Sequence, residues 1–393
     1  MSRGVRRTDL NRRFGAMLER AWDRGAATRP SLDPADIIAI ASRKEGGPPA
    51  DGPWRTRLDI LCAALRDEAD LNPIGLTSAH VQLVKLVRAR IRAAAYVARH
   101  PGALDIPIER PLVIVGQMRS GTTRIHRLLA CDRDFEVNRL FEQLDPVPHR
   151  GIDRRPVNAW ITGKLFALMA PELSAIHPTS PLAAEEDFGL HAFSIWGALF
   201  EGQWRVPSFA AHVEQADPAD VYRDFATLLR INAHRRRRPG PWLLKAPQFA
   251  QELDAVLAAF PDARLVVLRR PPAELVASGA SLVWHHSRVQ SDAVTRAEIG
   301  REWLRKTRLR GERMDEALAR HQRQPQVELD YADVSRDWAG AVDRIYRLCD
   351  GPPDPATWAR MDRLIASSTA HHGHRYSLED FGLDAAAVDA AFA

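Results

Sequence analysis

The sequence predicts an α/β fold in which a parallel sheet is flanked by helices. Two observations support this: short runs of branched apolar residues typical of buried strands, and amphipathic helical patterns between them. Strand and helix alternating in this rhythm favour parallel pairing with right-handed crossovers. The predicted strands lie at 111–116, 241–247, 263–268 and 325–329.

Helical patterns also predict what surrounds the sheet. Residues 1–108 are predicted to form an N-terminal helical accessory region, whose longest helix is expected from Ser78 toward His100. The α/β domain is then expected over 109–393. Within it, about 150–215 is predicted to be a helical insertion rich in aromatic residues, which could be ordinary core or a lid over an acceptor site.

Composition narrows the class of protein. The 393 residues are 45% hydrophobic and 27% charged, as in ordinary globular proteins, so disorder is not expected to dominate. The net charge of +5 suits a protein that handles anions, although it would also suit nucleic acid or an anionic membrane. The Arg235–Arg238 run lacks the interleaved aromatics of a nucleic-acid patch and is expected to be a solvated helix end.

The cysteines and the apolar runs predict the cytoplasm as the location. Cys62, Cys131 and Cys349 are odd in number and far apart, so they are interpreted as buried thiols in a reducing compartment. No apolar run approaches the roughly 20 residues that span a bilayer. The arginines near the N-terminus are not followed by the apolar core of a signal peptide.

The turn after the first predicted strand is suited to bind an anion. It joins Gly116 to Gly121 and leads into a helix, so free backbone N–H groups and the helix dipole point at one place. Small residues let an anion approach the backbone. Ser120, Thr122 and Thr123 can add hydroxyl donors, and Arg119 can add a full charge.

The run Arg119-Ser120-Gly121-Thr122-Thr123 resembles the 5′-phosphosulfate-binding loop of sulfotransferases that use 3′-phosphoadenylyl sulfate (PAPS). The glycine spacing is also similar to that of nucleoside-triphosphate loops, but Thr122 stands where those loops place a lysine. The resemblance implies a P-loop-like fold of the sulfotransferase type.

A second segment strengthens the resemblance. In the sulfotransferase family an arginine at the end of a strand and a serine eight residues later hold the 3′-phosphate. Arg270 and Ser278 match that pattern, since 278 − 270 = 8. The resemblance extends from about Glu109 to the C-terminus and is closest to bacterial sulfotransferases, which share the run found at 376–383.

The resemblance implies an enzyme that moves a sulfuryl group from PAPS to an acceptor hydroxyl and releases adenosine 3′,5′-bisphosphate (PAP). It assigns Arg119 and Lys245 to the sulfate and the leaving phosphate, and Arg270 and Ser278 to the 3′-phosphate. The 5′-phosphate would be cradled by Ser120, Gly121, Thr122 and Thr123. No divalent metal is implied, because lysine and arginine neutralise the leaving group.

The resemblance also implies a carboxylate as the general base. Cytosolic sulfotransferases use a histidine two residues after the strand-end lysine, where this chain has Pro247. Other members place a glutamate about as far beyond the Thr-Thr pair as Glu142 lies here, 142 − 123 = 19. Glu142 is therefore the first candidate and Glu186 the second. Adenine recognition stays open, because Arg124 replaces the aromatic residue of the cytosolic branch.

Two other functions remain possible from the residues alone. A phosphotransferase that uses ATP and Mg²⁺ would need a lysine at Thr122 and a strand-end aspartate for the metal. A non-catalytic module that binds anions or nucleic acid could keep the fold without turnover. The histidines at 285–286 and 371–374 lack the spacing of a metal site, so none is predicted.

Overall fold

The computed structural model describes residues 9–171, 179–237, 240–367 and 376–392. Its centre is a four-stranded sheet in which every pairing is parallel, and this confirms the predicted fold class. The strand order is β2-β1-β3-β4. The strands are β1 (Leu112–Val115), β2 (Leu243–Lys245), β3 (Arg264–Arg269) and β4 (Gln326–Asp330).

Burial explains why β1 is entirely apolar and why β2 and β3 carry charged residues only at their ends. β1 lies between β2 and β3, with Val113 opposite Leu244 on one side and Leu265 on the other. All four β1 residues are buried because helices cover both faces of the sheet. β4 pairs only with β3 and is mostly exposed, as expected of an edge strand.

In the described part of the chain, four α-helices precede the sheet. They are α1 (Asp9–Asp23), α2 (Pro34–Glu45), α3 (Trp54–Asp67) and α4 (Pro73–Arg99). The prediction that the long helix begins at Ser78 is wrong by one and a half turns. Asn72 caps α4 by accepting hydrogen bonds from the N–H groups of Ile74 and Gly75, so the helix begins directly at Pro73.

Nine further helices of the described residues lie between β1 and β3. They are α5 (Thr122–Leu129), α6 (Leu140–Leu144), α7 (Arg155–Met169), α8 (Phe188–Phe193), α9 (Ala198–Gln203), α10 (Pro207–Gln215), α11 (Ala219–Arg236), and a pair, α12 (Gln248–Gln251) and α13 (Leu253–Ala259). The two helices of the pair are separated at Glu252, whose buried carboxylate accepts hydrogen bonds from Trp196 and Tyr222.

The aromatic residues of the insertion divide into two groups. Phe200 and Phe209 are fully buried in a core that the insertion shares with α2, α3 and α4. Trp160 and Phe166, both on α7, are instead 56% and 41% exposed. The sequence pattern alone did not separate the two groups, because aromatic residues occur in both at similar density.

The remaining helices complete the layers around the sheet. They are α14 (Pro272–Gln290), α15 (Arg296–Arg320), α16 (Tyr331–Arg336), α17 (Trp338–Tyr346), α18 (Pro355–Ser367) and α19 (Ala385–Phe392), with short 3₁₀ turns at Pro101–Asp105 and Glu379–Phe381. Within the described ranges, no helix has both the length and the apolar character needed to cross a membrane.

Candidate functional site

The candidate site begins at the loop between β1 and α5. Gly121 has a φ of 95°, in the left-handed region that favours glycine. A Cβ at this position would lie 2.6 Å from Cδ2 of Tyr331, so glycine is also required by the close packing of that ring. Gly116 is similarly constrained, because its Cβ would lie 2.7 Å from Oγ of Ser120. The loop is therefore tightly packed, and at these two positions only backbone atoms fit.

The N-terminus of α5 faces the space above this loop. Gly121 is its N-cap and provides no side-chain hydrogen bond to the first turn. The dipole and N–H groups of such a helix end favour an anion. Ser120 is buried, and its Oγ donates a 2.7 Å hydrogen bond to the Gln117 carbonyl, which fixes the approach to the helix.

Three residues that the sequence assigned to two anion sites lie together. Nε of Arg119 donates a 2.9 Å hydrogen bond to Oγ of Ser278, which lies in the second turn of α14. A terminal nitrogen of Arg270 donates a 2.7 Å hydrogen bond to the carbonyl oxygen of Arg119. Arg270 and Ser278 therefore both reach the loop that ends at Gly121. Arg119 has a φ of 75°, a strained backbone conformation of the kind found at ligand sites.

Tyr331 is a site residue that the sequence analysis missed. Its ring packs against Gly121, and the guanidinium of Arg270 lies 4.1 Å above the ring centroid. Arg270 also forms a 2.7 Å ion pair with Glu274 and borders a cavity of about 450 Å³ beside the end of β3. Tyr331 directly follows β4, and ligands of parallel sheets lie at the carboxyl ends of the strands, so its position after a predicted strand is the signal that could have found it.

Lys245 ends β2 and is fully buried. Its Nζ donates a 3.0 Å hydrogen bond to Oγ1 of Thr123 and forms an ion pair with the carboxylate of Glu186. Thr123 also donates a hydrogen bond of 3.3 Å to the same Glu186 oxygen. The lysine, the first turn of α5 and one glutamate thus form a single polar cluster.

Asp187 holds this cluster in place. The N–H of Lys245 donates to its carboxylate at 2.7 Å, and the N–H of Asp187 donates to the Lys245 carbonyl at 2.8 Å. Asn138 and Gln143 donate two more hydrogen bonds. Burial raises the pKa of Asp187 to about 7, although these hydrogen bonds act in the opposite direction.

Glu142, the first candidate for the base, lies in a different ion pair. One of its oxygens accepts a 2.8 Å hydrogen bond from the N–H of Arg139 and a 2.6 Å hydrogen bond from Arg236. Arg236 also binds Glu136 at 2.6 Å. Burial alone would lower the pKa of Arg236, but the two glutamates raise it overall. Glu142 thus joins the cap of α6 to the end of α11.

Two histidine positions bear on the site. His126 on α5 is fully buried, and burial together with nearby Lys245 lowers its pKa to about 3, so it is neutral at physiological pH. The sequence analysis missed it. The cluster at 371–374 lies outside the described residues. In the part of the chain that is described, no group of three or more His, Cys, Asp or Glu side chains is placed to hold a metal ion.

Comparisons with known proteins place these features in context. A model of the sulfotransferase family matches residues 111–355, which include all the loop and strand-end residues described above. The fold is similar to the crystal structure of sulfotransferase STF1 from Mycobacterium tuberculosis, with a TM-score of 0.75 and 26% identity over 91% of this chain and 98% of that one.

A second solved structure shares the fold. Sulfotransferase STF9 from Mycobacterium avium has a TM-score of 0.81, at 24% identity over 91% of this chain and 94% of that one. No curated protein sequence matches the chain.

Proposed function

The chain belongs to the sulfotransferase family, and on that premise we propose that it transfers a sulfuryl group from PAPS to a hydroxyl group of a small-molecule, lipid or glycan acceptor. The observation that supports the donor is the contact between the two sequence-predicted anion sites. Arg119 touches Ser278, and Arg270 touches the backbone of Arg119, beside the N-terminus of α5.

The chemistry of these side chains fits a nucleotide with phosphates at both ends of the ribose. The N-terminus of α5, with Ser120, Thr122 and Thr123, would hold the 5′-phosphate. Ser278 and Arg270 would hold the 3′-phosphate, for which a guanidinium offers a bidentate fork. The two groups meet at Arg119, so one ligand of ribose size could bridge them.

We propose that the Tyr331 ring packs against the adenosine of the donor. It borders the loop at Gly121 and already stacks with the cation of Arg270. Its aromatic face would stack on the adenine. In the cytosolic branch an aromatic residue after the Thr-Thr pair does this, but here that position is Arg124, in the first turn of α5.

The transfer is proposed as an in-line displacement. The acceptor oxygen attacks the sulfur of the donor, its proton passes to a carboxylate, and the bond from sulfur to the bridging phosphate oxygen breaks. Negative charge then grows on that oxygen, which leaves with the phosphate of PAP. Lys245, held at Thr123, and Arg119 would stabilise this charge. Because these cations neutralise the leaving phosphate, the proposed mechanism does not require a divalent metal.

Contacts favour Glu186 over Glu142 as the base. A base must come within hydrogen-bond reach of the attacking hydroxyl while it stays near the leaving group. Glu186 touches both Lys245 and Thr123, which belong to the proposed sulfate site. Glu142 is 4% exposed and is bound to Arg236 and a backbone N–H. Glu142 could act only if Arg236 released it.

Ligand-dependent thermal stability tests the donor and separates the rival functions. PAP should raise the melting temperature, since a ligand at a hundred times its Kd adds about 2.7 kcal/mol of stability. Stabilisation by ATP with Mg²⁺ and not by PAP would instead indicate a phosphotransferase. Transfer of ³⁵S-labelled sulfate from PAPS to a panel of alcohols, phenols and glycans then distinguishes an enzyme from a binding module.

A further inference from the structure

Helix α7 has an unusual surface. Val157, Trp160, Leu165 and Leu168 are each more than half exposed, and the helix contains no Asp or Glu. Only Arg155 and Ala159 of its residues are buried. A helix that is apolar around most of its circumference is ordinarily covered by something. On α7 the apolar side chains are presented to the outside instead.

Helix α1 extends this surface. Its Asn11 side chain donates a 2.8 Å hydrogen bond to the carbonyl of Met169, so the start of α1 lies beside the end of α7. Leu10, Phe14 and Met17 are 41%, 39% and 49% exposed and, at positions i, i+4 and i+7, share one side of α1. We call the exposed apolar side chains of the two helices the α1–α7 face. It comprises Leu10, Phe14, Met17, Val157, Trp160, Ile161, Leu165, Phe166 and Leu168.

The charges around the face are mostly positive. Six exposed basic side chains lie on these helices or in the segment just before α7. They are Arg12, Arg13, Arg20, Arg150, Arg154 and Lys164. Among the described side chains of α1 and α7, the exposed carboxylates are Glu19 and Asp23, both in the second half of α1. Apolar side chains interspersed with cations match the two layers of an anionic lipid surface.

We propose that the α1–α7 face docks on an anionic lipid membrane, with its apolar side chains inserted among the acyl chains and its cations among the headgroups. The face lies on the surface and does not span it, because the 15 residues of α7 are fewer than the roughly 20 required. A second copy of the chain fits less well. A symmetric dimer apposes the same patch twice, so it would bring these cations against one another.

The α1–α7 face lies near elements that carry residues of the candidate site. α7 packs against α6, and the ring of Phe166 lies 6.0 Å from that of His286 on α14, the helix that carries Ser278. Leu182, four residues before Glu186, is 62% exposed. A docked membrane would therefore stand near α14 and near the segment that carries Glu186. The role of Glu186 rests on the proposed function, whereas the docking itself does not.

Vesicle flotation tests the docking. The full chain should float with vesicles of phosphatidylglycerol and phosphatidylcholine, and binding should weaken when salt is raised from 0.1 to 0.5 M. The double substitution Trp160→Ser, Leu165→Ser should reduce partitioning at least about tenfold, because two large apolar side chains no longer enter the bilayer. Leu104→Ser is the matched control, since Leu104 is 42% exposed outside the face, and it should leave binding unchanged.

Fluorescence provides a second readout in the folded protein. Brominated phosphatidylcholine in the same vesicles should quench the emission of wild type more than that of Trp160→Phe, because Trp160 would lie at the depth of the bromines. Equal quenching in both proteins, or equal flotation of wild type and the double variant, overturns the proposal. So does a stable dimer that the double variant converts to monomer, since the face would then bind a second copy. PAP should stabilise the double variant as it does wild type, so a failed donor assignment and a failed docking surface give different results.

Discussion

Two ion pairs, whose cations Arg236 and Lys245 are close in sequence, have different roles. Arg236 and Glu142 connect α11 to the cap of α6, and the remaining polar atoms around them belong to Glu136 and a backbone N–H. Lys245 and Glu186 also form a buried pair, but their shared neighbour is Thr123, in the first turn of the anion-binding helix. The first pair holds structure together, and the second stands at the proposed reaction centre.

The comparison shows why a carboxylate cannot be assigned as a base from its spacing alone. Glu142 lies at the distance in sequence that the family resemblance implies for a base. Glu186 lies 63 residues beyond Thr123, a separation that no local rule would single out, and the fold brings the two into contact. The two carboxylates differ in what else their cation contacts. Lys245 also contacts Thr123, whereas Arg236 also contacts Glu136. The following substitutions test that distinction, from the largest expected effect to the smallest.

Removal of the two cations should affect different properties. Lys245→Met should lower sulfuryl transfer about 10³-fold, because charge on the leaving oxygen loses its nearest stabilising group. Arg236→Met should destabilise the fold by about 3–5 kcal/mol, since Glu142 and Glu136 keep buried charges without their partner. Labelled-sulfate assays and urea unfolding measure the two effects. A comparable loss of transfer in the fraction of Arg236→Met that stays folded would remove the distinction.

Removal of the two carboxylate charges gives a sharper test of the base. Glu186→Gln should lower kcat about 10²-fold or more, because a glutamine cannot accept the acceptor's proton. Glu142→Gln should keep near wild-type kcat and lose stability instead. Steady-state transfer assays measure kcat for both variants, and urea unfolding measures their stability. If kcat falls in Glu142→Gln and not in Glu186→Gln, the assignments are reversed.

Substitution of the two adjacent arginines at the end of β3 tests whether Arg270 belongs to the 3′-phosphate site. Arg270→Ala should weaken PAP binding about 10- to 100-fold, since a charge-assisted hydrogen bond contributes about 1.5–3 kcal/mol. Its affinity for adenosine 5′-phosphosulfate, which lacks the 3′-phosphate, should change little. Arg269→Ala is the matched control, because Arg269 pairs with Asp315 and Glu328. Calorimetric titration measures both, and equal losses for the two nucleotides would exclude Arg270 from the 3′-phosphate site.

The last test concerns Asp187 and the slope with which the free energy of unfolding changes with pH. Its folded pKa of about 7 lies above the value near 3.9 of an unfolded chain, so the folded state holds more protons between these values. Its contribution to stability is therefore complete below about pH 4 and is lost as pH rises toward 7, by up to about 1.4 kcal/mol per pH unit.

Asp187→Asn should flatten that dependence. The part that remains should come from groups such as Glu252, whose pKa burial also raises to about 7. Urea unfolding at pH 5, 6 and 7 gives the slope for wild type and variant. An unchanged slope would show that Asp187 stays ionised beside the Lys245 backbone.

The sequence determined the parts of this protein that depend on short-range chemistry. Three apolar runs predicted the buried strands β1, β2 and β3, because buried strands need apolar side chains on both faces, and a fourth run at 325–329 predicted β4. The tight Gly116–Gly121 turn, with Arg and Thr around it, predicted an anion loop, because only small residues admit close approach to a backbone.

The tertiary structure alone decided which distant polar groups meet and which apolar groups stay uncovered. Glu186 reaches Lys245 because 179–187 folds back over the end of β2, and Tyr331 reaches Gly121 because β3 places β4 nearby. The sequence could not separate buried Phe200 from exposed Trp160. Composition along the chain records which residues are apolar, whereas burial depends on what the rest of the chain brings against them.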